Sequence, residues 1–140
     1  MANYTCAFRT NYFAVKDKEL FDKIVDIANI QGGDCKSYEK DGKYMIGGYG
    51  QPYIFGDPDI DFVKDLPEYE NSFFTLLQKC VADDDAIIYK EAGWEALRYI
   101  THEAWVITSE VMNWINIDDM LIDTARELLE NEDWTTTLTY

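Results

Sequence analysis

The chain has 140 residues, 47% of them hydrophobic and 15% aromatic, which suits one packed core and excludes a disordered chain. Its 27 Asp/Glu against 12 Lys/Arg give a net charge of −15, which argues against nucleic acid or an anionic membrane as partner and favours a basic surface. No apolar run reaches membrane-spanning length, the opening Met1-Ala2-Asn3-Tyr4 lacks the regions of a secretion signal, and Cys6, Cys35 and Cys80 show no metal-type spacing. A cytoplasmic chain with three free thiols is expected.

The predicted elements begin with a strand over Ala7–Lys16, carrying Phe8, Tyr12 and Phe13. Asp17 is placed as an N-cap, and Leu20, Ile24, Ile27 and Ala28 recur at helical spacing until Gly32-Gly33. Two short strands, Lys36–Glu39 and Lys43–Gly48, join across Lys40-Asp41-Gly42, where Asp-Gly signals a hairpin. Residues 50–67, rich in Gly, Pro and Asp, read as a loop. A second helix is expected from Glu68 to Ala82, burying Tyr69, Phe73, Leu76, Leu77, Cys80 and Val81.

Three strands are predicted next: Ala86–Lys90, Ala96–Thr101 and Ala104–Ser109, with Glu91–Trp94 and His102-Glu103 as turns. Trp114–Ile117 reads as a short strand. A last helix over Asp119–Glu130 should bury Leu121, Ala125, Leu128 and Leu129, and the Thr-rich tail Trp134–Tyr140 has strand propensity. The order predicts an α+β fold, mainly an antiparallel sheet with about three helices packed on one face. Residues 1–140 read as one domain. Asn11-Tyr12-x-x-Val15-x-Asp17 and Asn113-Trp114-x-x-Ile117-Asp118 suggest two similar half-sheets divided in the loop 50–67.

The charge is unevenly placed. Residues 1–50 balance seven bases against seven acids, whereas residues 51–140 hold five bases and twenty acids. Such self-repulsion exceeds what solubility needs, since a charge of about 2–8 suffices for a small domain. Asp57, Asp59 and Asp61, with Asp65 and Glu68 following, have the carboxylate spacing of a calcium loop, but Phe62 stands where that loop needs glycine. We therefore expect no metal. Gly47-Gly48-Tyr49-Gly50 lacks the Lys-Ser/Thr of a phosphate loop, and reads as a strand end. Carboxylates are abundant, but nothing singles out an acid–base pair, and His102 has no nucleophile motif beside it. No catalytic residue or cofactor is expected.

The predicted second helix runs into Asp83-Asp84-Asp85 and the third ends in acids, although a helix C-terminus disfavours negative charge. Asp119, Asp123, Glu127 and Glu130 recur at three- and four-residue steps, a stripe of carboxylates about 6 Å apart along the axis. With Asp57, Asp59, Asp61, Asp65, Asp83, Asp84 and Asp85 they are the candidate partner-binding residues, and Tyr49, Tyr53, Trp94 and Trp105 are candidate apolar anchors.

Ala2-Asn3-Tyr4, the run Arg9-Thr10-Asn11-Tyr12-Phe13-x-Val15-Lys16-Asp17, Ala86-Ile-Ile, Leu97-Arg98-Tyr99, Val106-Ile-Thr-Ser109 and Asp133-Trp134-Thr135 resemble small acidic proteins of bacterial plasmids, integrated elements and phages. The resemblance carries over no site residues. By size, charge and setting it resembles anti-CRISPR and anti-restriction proteins, and implies a nucleic-acid-mimicking inhibitor whose partner is a CRISPR effector or restriction enzyme in the host cytoplasm. The alternative expectations are an immunity protein that neutralises a basic nuclease toxin and a small acidic binding module.

Overall fold

The computed structural model describes residues 4–96 and 99–138, and for Tyr99 the backbone alone. The order is β1 (Thr5–Thr10), α1 (Lys18–Gly32), β2 (Lys36–Lys40), β3 (Lys43–Tyr49), α2 (Phe73–Cys80), β4 (Ile87–Glu95), β5 (Tyr99–Ile107), β6 (Met112–Asn116) and α3 (Ile117–Leu129). The strands form one antiparallel sheet in the order β2-β3-β1-β4-β5-β6. The fold is α+β, as the element order predicts.

Helix α1 starts where its cap allows. The Asp17 carboxylate accepts the Leu20 N–H at 3.0 Å, a bond worth about 1 kcal/mol. Phe21, Ile24, Ile27 and Ala28 are its buried stripe. The β2–β3 hairpin turns on Asp41 (φ 52°) and Gly42 (φ 79°), the pair of positive φ values that a two-residue turn matched to strand twist requires. Phe73, Leu76, Leu77 and Cys80 of α2 join the α1 stripe over Phe8, Ile46, Ile87, Tyr89 and Ile107 of the sheet. The long loop closes this core with Ile54 and Val63.

The second helix is shorter than its apolar periodicity predicts. Ser72 N–H donates to Ile54 O at 2.8 Å, and the Asn71 amide donates to Pro52 O, so residues 71–72 are held to the loop rather than in a helical turn. Tyr69, expected in the core, is 96% exposed. At the far end Val81 pairs with Val15, and Ala82 N–H donates to Ala14 O, which draws the chain out of the helix after Cys80.

The three strands predicted between residues 86 and 109 are two long ones, although residues 97–98 of the Ala96–Thr101 prediction lie outside the described residues. Gly93 is mid-strand, not in a turn. A Cβ there would clash with the Tyr4 hydroxyl, so the glycine makes room for Tyr4, which hydrogen-bonds Thr101 Oγ1. His102 and Glu103 also lie mid-strand, paired with Ala92 and Glu91. The tail forms no strand through residue 138: Trp134 O accepts from the Arg126 guanidinium at 2.8 Å, which holds the chain against α3. Residues 139–140 of that predicted strand lie outside the described residues.

Candidate functional site

The predicted acidic residues are distributed over three segments. Asp57 is half-buried and folded into its own loop, its Oδ1 accepting the Asp59 N–H at 2.9 Å; Asp59, Asp61 and Asp65 are exposed. Phe62, at the glycine position of a calcium loop, packs against the core with Lys23 Nζ over its ring. Among the described residues, no three His, Cys, Asp or Glu are placed to hold a metal ion.

The triple aspartate stands apart from the helix that was expected to end in it. Residues 81–82 are extended between α2 and Asp83, so the helix-dipole cost inferred for these acids does not arise. Asp83 pairs with Lys16 at 2.8 Å, and Asp84 is exposed. Asp85 serves the fold: its carboxylate accepts the N–H groups of Ala14 (2.7 Å) and Ala86 (2.8 Å) and faces Lys43 at 3.6 Å. The Ala14 bond, then those from Ala86 and the Lys43 charge, hold its carboxyl below the usual range against the opposing effect of burial. Asp85 is therefore a structural acid, not a free one.

Helix α3 differs from the expected buried helix. It has no buried residue, and Met120, Leu121, Leu128 and Leu129 are all more than half exposed. The sequence pattern of an amphipathic helix is present, but its apolar side is only partly covered: Ile117, Ile122 and Ala125 are half-buried and none belongs to the core cluster. Asp119, Asp123, Glu127 and Glu130 are exposed on the side opposite Leu121, and among the described residues only Asp123 of these is in an ion pair, to Arg126 at 3.2 Å. Asp119 stands in the first turn, where the helix dipole favours it, and Asn116 caps the helix by accepting the Asp118 N–H at 3.0 Å. Glu130 closes the helix in a left-handed conformation (φ 52°).

The sheet has one covered and one open face. Pleating alternates Cys6, Phe8, Thr10, Ile87, Tyr89 and Glu91 toward α1 and α2. The opposite positions carry Arg9, Lys36, Lys40, Lys43, Lys90 and His102, and no Asp or Glu among the described strands. One transverse row runs Lys36, Gly47, Arg9, Lys90, Ala104, Ile115. Arg9 and Lys90 are directly opposed, a like-charge arrangement that costs roughly 0.2–1 kcal/mol. Among the described residues neither they nor Lys36 form an ion pair; the described pairs use Lys16, Lys18, Lys23, Lys43, Lys64 and Arg126. A hollow of about 530 Å³ opens over this row. Comparison with protein-family models, curated proteins and solved structures finds no match to this chain.

One carboxylate pair is singled out by the fold and by nothing in the sequence. Glu91 is buried and opposed to Glu103 across β4 and β5. Burial pushes its carboxyl up, and Glu103 adds to this, while hydrogen bonds from the Tyr89 hydroxyl (2.7 Å) and the Gln51 amide (3.1 Å) oppose it. The adjoining cavity is only about 120 Å³. Small-molecule sites run to about 300–1,000 Å³, well above this volume, and the bond from Gln51 makes Glu91 an anchor of the loop there. Among the expected anchors, Trp105 stacks on Phe74 at 5.0 Å and Tyr53 packs on Phe55 at 5.1 Å, whereas Trp94 and Tyr49 are exposed. The open basic face escaped sequence reasoning because turns placed at Glu91–Trp94 and His102-Glu103 broke the alternation Ile88, Lys90, Ala92, Trp94 that would have exposed it.

Proposed function

We propose that this chain is a non-catalytic binding protein that docks through α3 onto a basic protein surface built for nucleic acid, and inhibits it. The observation that carries the reading is an α-helix with no buried residue, exposing Leu121 and Leu128 on one side and the carboxylates of Asp119, Asp123 and Glu127 on the other. A helix of this kind fits a partner cleft with one apolar wall and one basic wall. Charge would steer the encounter and the leucines would hold it. CRISPR effectors and restriction nucleases have such surfaces, since their substrate duplex carries about one charge per 1.7 Å. The resemblance to small acidic proteins of mobile elements supports this partner class and a bacterial cytoplasm as the place of action. No helix among the described residues is long and apolar enough to cross a membrane.

The test is DNA cleavage by a panel of CRISPR effector and restriction nucleases titrated with the protein. Inhibition of at least one is expected, weakened at least tenfold by Asp119→Lys with Asp123→Lys and Glu127→Lys, and separately by Leu121→Ser with Leu128→Ser. Association should slow as salt shrinks the Debye length from about 10 Å toward 3 Å. Inhibition that survives both sets of substitutions would refute α3 as the docking element.

A further inference from the structure

We infer that the open face of the sheet binds a small phosphate monoester with a planar body, a ligand of mononucleotide class. The site is separate from the acidic stripe of α3 and shares with that helix only its first residue, Ile117. Gly47 forms the floor. A Cβ there would stand 3.2 Å from Phe8 O and 3.4 Å from Arg9 Cβ, so its absence leaves an opening between Lys36 and Arg9 in the transverse row. Along β3 the floor is walled by Met45 and Tyr49, and Tyr38 stands opposite Met45 on β2. Tyr38 and Tyr49 are both more than half exposed, so their rings are available to a planar body lying over Gly47 and Ala7.

Charge selects the other half of the ligand. Among the described residues, Arg9, Lys36 and Lys90 meet one acidic side chain at the rim, Asp34, whose Oδ2 accepts the Tyr49 N–H at 3.0 Å. Glu91 and Glu103 also border the hollow, but pleating turns their side chains to the covered face. Three cations and one anion leave an excess of two positive charges, His102 being counted neutral, which matches the charge of about −1.5 to −2 on a phosphate monoester. Arg9 donates to the Met45 thioether, a weak acceptor, at 3.2 Å, and its guanidinium has no other hydrogen-bond partner among the described residues. The volume of about 530 Å³ exceeds what an inorganic anion fills and falls in the small-molecule range. A long nucleic acid strand would run beyond the hollow onto a protein of net charge −15, whereas a mononucleotide keeps its charge within it.

The experiment is isothermal titration calorimetry of the full chain with AMP, accompanied by inorganic phosphate, adenosine and a twelve-nucleotide oligothymidylate. AMP should bind one to one with a Kd of about 0.1–1 mM, and phosphate and adenosine each at least tenfold more weakly. Arg9→Gln and Lys90→Gln should each weaken AMP at least tenfold, and Tyr49→Ser should bring its affinity toward that of phosphate. Lys79→Gln, at an exposed base outside the hollow, should change nothing. All four changes are at exposed positions, and unchanged melting curves would show that the fold is retained. No heat from AMP up to about 10 mM overturns the inference, as does binding indifferent to Arg9 and Lys90. Equal affinity for phosphate overturns the planar body, and tighter binding of the oligonucleotide overturns the mononucleotide class.

Discussion

Leu128→Ala should leave the stability of this protein nearly unchanged, whereas Leu77→Ala should remove a large part of it. Both leucines lie in helices, both belong to an apolar stripe, and the sequence predicts both as core. Leu128 is 82% exposed and Leu77 is 0% exposed. Full burial of a leucine side chain is worth about 1.5–3 kcal/mol, so the fifth of Leu128 that is covered contributes only about 0.3–0.5 kcal/mol. Alanine's helix propensity offsets part of even that. Leu77 sits in the cluster with Phe8, Phe73 and Tyr89, where truncation removes contacts and leaves a cavity, at a cost of about 2–5 kcal/mol. For a chain of this size each kcal/mol shifts Tm by about 3 °C, so the expected falls are about 1 °C and about 6–15 °C. Urea denaturation followed by tryptophan fluorescence, with calorimetry alongside, separates them easily. A loss of 2 kcal/mol or more at Leu128 would mean that α3 is covered in solution, and would refute the reasoning that leaves it free for a partner. A concentration-dependent Tm would then identify a second copy as the cover.

Asp85→Ala should destabilise by about 1–3 kcal/mol, since two half-buried N–H groups lose a charged acceptor, while Asp84→Ala should be neutral in the same urea titration. Because the Asp85 carboxyl is held below its unfolded value, its contribution is complete above that value, about 3.9, and is lost as pH falls through the lower folded one. Glu91 has the opposite sign: its raised pKa means that ionisation opposes folding, increasingly as pH rises from the ordinary carboxylate value of about 4.3 through the folded one. Glu91→Gln, which keeps an acceptor for Tyr89, should thus gain up to about 1 kcal/mol over the native protein near neutral pH, a gain that vanishes in acid; a gain independent of pH would assign the effect to something other than charge. Cys6, Cys35 and Cys80 are free and buried, and burial pushes the thiols of Cys35 and Cys80 up to about 12. At pH 8 these two should alkylate about three orders of magnitude more slowly than a free cysteine, with all three reacting in denaturant; mass spectrometry after timed quenching measures this.

The local signals in the chain determined the local structure. Asp17 capped α1, Asp41-Gly42 turned the first hairpin, and the stripe from Phe21 to Ala28 faced the core, because each depends on residues within one or two turns of one another. The antiparallel α+β class followed from the order of such pieces. Tertiary structure decided whatever depended on a distant neighbour. Gly93 reads as a turn until Tyr4 is seen to occupy the space its side chain would need. The apolar stripe of α3 reads as core in any sequence, and only packing shows that nothing among the described residues buries it. Asp83, Asp84 and Asp85 look alike in sequence, yet Lys16 pairs the first, solvent surrounds the second, and the Ala14 and Ala86 N–H groups hold the third. The sharpest case is charge. Composition correctly reports an acidic protein but cannot report its polarity, because the basic row Lys36, Arg9 and Lys90 comes from three strands whose register alone sets those side chains on one face.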